Sequence, residues 1–135
     1  MIELPPAVVM EIAAMAASSP EARLERFECS MGYQVVRPGG AAWLPPADWL
    51  AMTICSTDGK RVRLVALAAV NPGQGSLRRL VAAIQAAGLE PVVVEPSGLL
   101  IAVLLRWGWR SRRIGQGFAA HNVWYAKKEP RVKRG

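Results

Sequence analysis

The apolar run at residues 65–70 stops at Asn71-Pro72-Gly73-Gln74-Gly75, and from there Leu77, Leu80, Val81 and Ile84 recur at i, i+3, i+4 and i+7. This switch from an unbroken apolar strand to helical spacing, across a short stretch of turn chemistry, constrains the chain more than any other feature. Ser76 is placed to cap the helix, Gly88 ends it, and residues 91–94 read as a second short buried strand. Strand, helix and strand in that order form a right-handed crossover, which makes the two strands parallel. Ser97 then caps a further helix, apolar on most sides, that runs through Trp107 and is terminated by Gly108.

Upstream, two β-rich runs, 50–57 and 60–70, flank Asp58-Gly59, a pair suited to a two-residue type I′ turn. A long antiparallel hairpin follows from that spacing. Arg61 and Arg63 alternate with Val62 and Leu64 near the turn, so the second strand is expected to be exposed on one face early and buried on both later. Residues 33–37 read as a short strand, followed by a loop that Pro38, Gly39, Gly40, Pro45 and Pro46 punctuate. Two helices precede them. The first, 6–17, places Val8, Val9, Ile12 and Met15 on one face; the second has Ser19 as N-cap, Pro20 at its first position, Leu24 and Phe27 as its stripe, and Gly32 at its end. Residues 121–128 add a last strand before a basic tail at 127–135, which is expected to be disordered. The expectation is one α/β domain over residues 1–126, built on a mixed sheet.

Composition narrows the chemistry. A chain of 135 residues is long enough to fold without a disulfide or metal staple. Cys29 and Cys55 are far apart, and His121 is the only histidine available to join them in a metal site. The N-terminal stretch carries Glu3 and Glu11 where a signal peptide needs positive charge, and no apolar run approaches the ~18 residues of a membrane span. A cytoplasmic protein with reduced thiols is expected. The net charge of +7 is concentrated from Arg106 onward, where nine Lys or Arg face one acid, Glu129. Such an excess attracts phosphates, of nucleic acid or of a phosphorylated cofactor, and equally serves solubility.

A glycine-rich turn that leaves a strand and opens a helix presents unpaired N–H groups at the positive end of a helix dipole, which suits a phosphate. Gly73 and Gly75 allow close approach, and Arg78 and Arg79 add charge. The plainer alternative is a turn that needs glycine only for its backbone angles. No GK[ST] follows, which excludes a P-loop, and the third glycine of a dinucleotide fingerprint is missing.

The run Pro72-Gly73-Gln74-Gly75-Ser76-Leu77, followed by Arg78-Arg79-Leu80, resembles the R-G-Q-G-x-G pyrophosphate loop of the GNAT-type N-acetyltransferases. Downstream, Val103-Leu104-Leu105-Arg106-Trp107-Gly108-Trp109 resembles that family's L-Y-x-x-x-G-F pattern, and the likeness covers roughly residues 50–125. The nearest likeness is to short members found in bacterial and bacteriophage genomes. It implies a GNAT-like fold with acetyl-coenzyme A as cofactor, bound by Val70, Gly73, Gln74, Gly75, Ser76, Leu77 and Arg78, its pantetheine arm between splayed strands 61–70 and 91–95. It also implies transfer of an acetyl group to an amine, on a small molecule, a protein or a nucleobase.

Departures from the family pattern are equally specific. Pro72 replaces a basic residue, Leu77 a glycine, and Leu104 the tyrosine that protonates the leaving thiolate; no carboxylate lies on 65–70. Glu95, at the end of the second parallel strand, and Tyr125, on the last strand, are the remaining candidates for proton transfer. His121 is expected to be structural or exposed and Cys55 a small core residue. Trp43 and Trp49 are candidates for a substrate groove, whereas Trp107 and Trp109 should pack the end of their helix. The competing function is a catalytically degenerate binding module that holds nucleic acid or a host protein through the basic C-terminal region.

Overall fold

The computed structural model describes residues 19–126; the expected helix at 6–17 and the tail at 127–135 lie outside them. The elements run α1 (Pro20–Ser30), β1 (Gln34–Val36), β2 (Ile54–Thr57), β3 (Arg61–Ala66), α2 (Ser76–Ala86), β4 (Glu90–Val94), α3 (Gly98–Arg106), β5 (Arg110–Ile114) and β6 (His121–Tyr125), with a 3-10 turn at Gly117–Ala119. One mixed six-stranded sheet results, in the order β1-β2-β3-β4-β6-β5. Only β3 and β4 are parallel, as the crossover through α2 requires. The other neighbours are antiparallel.

Local chemistry explains the helices. Ser19 Oγ accepts the N–H of Ala22 at 3.1 Å, and Pro20 with Glu21 completes the first turn of α1. In α2 the apolar spacing buries Leu80, Val81 and Ile84 against Leu64, Val93, Leu104 of α3 and Trp109. Each of those three α2 side chains contributes at most roughly 1.5–3 kcal/mol through burial. Helix α1 lies on the opposite face, where Glu28 reaches Ser56 and Arg63 and Phe27 meets the edge of His121. Helices thus cover both faces of the sheet. Among the described residues no helix is long and apolar enough to cross a membrane.

Four local expectations are corrected. The hairpin turn is not type I′: Gly59 has φ +89°, but Asp58 does not share the positive φ that type I′ needs at both positions. Its carboxylate instead accepts the N–H groups of Lys60 and Arg61, at 2.9 and 2.8 Å, and closes a wider loop. Residues 50–53 turn rather than extend, so β2 starts only at Ile54. Ser76 is the first residue of α2 and Gly75 its N-cap. The burial of β3 runs opposite to expectation, with Val62, Arg63 and Leu64 buried, 65–69 half-buried and Val70 exposed. Partner strands cause that reversal. Sheet pairing with β4 ends at Leu64↔Val93, so the more apolar end of the run has no neighbour on that side.

Candidate functional site

Pairing of β2 with β3 slips between Ile54↔Ala66 and Cys55↔Leu64, leaving Val65 as an extra residue on β3. A bulge of this kind bends its strand and increases the local twist. Beyond it β3 turns toward residues 48–50, where Leu50 N–H donates to the Ala68 carbonyl (2.8 Å) and Val70 N–H to the Asp48 carbonyl (2.9 Å). Trp49 and Ala69 face each other between these bonds. Meanwhile β4 follows β6, with Val94 paired to Val123 and Glu95 N–H donating to the Asn122 carbonyl at 2.9 Å. The two parallel strands therefore splay apart. Because backbone groups alternate sides along a strand, the N–H and C=O of Ala69, and likewise of Leu67, point into the opening.

A cleft of about 750 Å³ occupies this opening. Its walls include Trp49, Leu67, Ala69, Leu100, Val103 and Trp107, and its far end is the glycine turn. There Gly73 and Gly75 hold φ of +79° and +77°, and a Cβ at Gly73 would meet nothing within 4 Å, so backbone angle explains the glycine and space remains above it. The first bond of α2 runs from Arg79 N–H to the Gly75 carbonyl at 3.0 Å, which leaves the N–H groups of Ser76, Leu77 and Arg78 without an acceptor inside the helix. Arg79 folds back over the turn, donating to the Gln74 carbonyl (2.7 Å), to Ser76 Oγ (3.2 Å) and to Asp48 (3.5 Å). The Arg78 guanidinium lies 5.2 Å from the centre of the Trp107 ring. One arginine thus fixes the turn while the other borders the cleft.

Of the residues singled out in the sequence, Gly73, Gly75, Ser76, Leu77 and Arg78 line this cleft together; Val70 and Gln74 flank it. Glu95 sits apart at the end of β4, exposed, at φ 41°, its Oε1 accepting the Asn122 N–H at 2.6 Å. Tyr125 lies on the other face of the sheet, in a separate hollow. Trp49 lines the cleft, Trp43 packs against the core, and Trp107 does both. The splay was expected from the family resemblance alone, since a bulge leaves no pattern in an apolar run, and the wall that Leu100 and Val103 supply was not anticipated.

Two further residues have structural roles. Cys55 is fully buried and burial pushes its thiol up to about 12, which leaves it unreactive. His121 is buried too. Its Nε2 lies 3.0 Å from Arg63 Nη2, which can only donate, so the proton sits on Nδ1 and is donated to the Ala119 carbonyl at 2.8 Å. No family model, curated protein or solved structure matches this chain.

Proposed function

We infer that the protein binds acetyl-coenzyme A in the cleft between β3 and β4 and acts as an N-acetyltransferase of the GNAT type. The observation that carries this reading is the splay, which turns main-chain groups of Leu67 and Ala69 toward an apolar cleft that ends on the open N–H groups of α2. An extended arm rich in amides suits the first, and a pyrophosphate suits the second. Over the described residues the element order agrees with the expected one, with β5 as an additional strand.

The residues present fit such a cofactor. Ser76, Leu77 and Arg78 would hold the pyrophosphate through their N–H groups, assisted by the dipole of α2, worth about half a positive charge. Leu67 and Ala69 would pair with the pantetheine arm, and Leu100, Val103 and Trp107 would exclude water beside it. Bound acetyl-coenzyme A supplies an activated acyl thioester for attack by an amine. Glu95 is occupied in holding the start of β6, so it is a clamp for the sheet rather than a base in this scheme. Proton removal from the amine then falls to solvent, and the rate should rise with pH as the acceptor amine deprotonates.

One observation favours the second reading, a binding module without catalysis. Among the described residues that line the cleft there is no carboxylate, imidazole or phenol. Calorimetry with acetyl-coenzyme A, alongside release of free thiol in the presence of amines, separates the two. Binding with thiol release supports the enzyme, and binding without it supports the module. Gly75→Asp should abolish binding while the circular dichroism spectrum is kept, because it puts a fixed negative charge at the turn. Equal affinity of that folded variant, or no heat from the natural protein at millimolar ligand, would overturn the cofactor assignment.

A further inference from the structure

A second hollow, of about 440 Å³, opens on the α1 face of the sheet and shares no lining residue with the cleft. Strand register builds it. Arg110 and Arg112 of β5 stand beside Tyr125 and Val123 of β6, and Arg61 and Arg63 of β3 stand beside Glu90 and Val92 of β4. Two of the four cations are neutralised: Arg61 pairs with Glu90 at 3.4 Å, and Arg63 with Glu28 at 2.6 Å. Arg110 and Arg112 are exposed, and their side chains have no hydrogen bond or ion pair among the described residues. Arg63 adds to them. It is 2% exposed and lines the hollow; Nε and Nη2 are engaged, but Nη1 has no hydrogen-bond partner among the described residues. Its guanidinium also lies 5.2 Å from the centre of the ring of Tyr33, which lines the same hollow.

We propose that this hollow binds a nucleotide, either free or as one unit of a single-stranded nucleic acid, through Arg63, Arg110, Arg112 and the ring of Tyr125. The charge is in excess where the cations are unpaired, and guanidinium groups match phosphate oxygens two at a time. A lone phosphate would fill little of 440 Å³. The lining also includes the apolar Val92, Val123 and Ile114, with the half-buried Tyr125 ring as a surface on which a base can stack. Residues on one face of β5 repeat at about 7 Å, so Arg110 and Arg112 can take neighbouring anionic groups.

The test uses the full chain and a fluorescent deoxythymidine 12-mer, with thymidine monophosphate and inorganic phosphate as competitors. Arg110→Ala/Arg112→Ala should weaken 12-mer binding about tenfold or more and lower the slope of log affinity against log salt by about 1.4, two phosphate contacts on a single strand. Tyr125→Phe should bind as the natural protein does, whereas Tyr125→Ala should lose about tenfold, the worth of one stacked base. Acetyl-coenzyme A affinity should be unchanged in all three, so loss of this proposal and loss of the cofactor reading are separate results. Competition by thymidine monophosphate identifies a free nucleotide as sufficient, and competition only by unlabelled 12-mer identifies the nucleic-acid strand. Unchanged 12-mer affinity in the double arginine variant would overturn the proposal, as would inorganic phosphate competing as well as the nucleotide. A dimer that becomes a monomer on the arginine substitutions, seen by sedimentation, would assign the hollow to a contact between copies and overturn it equally.

Discussion

Glu28 and Arg63 form a buried ion pair, 1% and 2% exposed, in which Glu28 Oε1 accepts from Arg63 Nε and from Ser56 Oγ, both at 2.6 Å. Such a pair stabilises little in net terms, since its mutual attraction mainly offsets the loss of hydration of two ions. Removing one partner is different, because the other is left charged and buried. Glu28→Ala should therefore lower stability by about 3–5 kcal/mol in urea unfolding, while Glu28→Met/Arg63→Met should recover much of that loss. A double variant no more stable than Glu28→Ala would mean that the pair specifies the packing of α1 itself. Nothing in the sequence marks Glu28, because a single acid on an otherwise polar helix reads as solvated. His121 was expected to be structural or exposed; that it is buried, and which tautomer it holds, required the tertiary structure and the Arg63 contact.

At the scale of elements, the hairpin loop shows how one side chain can substitute for a turn type. The Arg61 and Lys60 N–H groups beside Asp58 hold its carboxyl below the ordinary value of 3.8. A carboxylate depressed on folding stabilises the protein fully above its unfolded value and loses that contribution as pH falls through the folded one. Thermal melts of the natural protein and Asp58→Asn should thus differ most above pH 5 and converge below about pH 3. A gap that persists at low pH would show that the charge is not what closes the loop. The helices α1, α2 and α3 were legible from caps and periodicity, with bounds shifted by a residue or so. Strand β5 was not. Its sequence, Arg-Ser-Arg-Arg-Ile, is exposed at its first four positions as an edge strand, so no alternation of apolar and polar residues announces it.

For the whole molecule, Leu104 is the joint between α3, α2 and the sheet, with no exposed surface at all. Leu104→Ala should cost about 2–5 kcal/mol in chemical denaturation and loosen the wall of the cleft with it. A cost under about 1 kcal/mol would show that α3 packs independently of α2. The sequence by itself determined the crossover of β3, α2 and β4, the anion-suited turn at its centre and the basic surplus toward the end, because periodicity, glycine and charge act over a few neighbouring residues. Only the tertiary structure decided which way β3 bends, which arginines are neutralised, and that Tyr125 and the glycine turn belong to different faces. Those outcomes depend on strand register and on partners 12 to 58 residues away, distances over which a local sequence pattern carries no information.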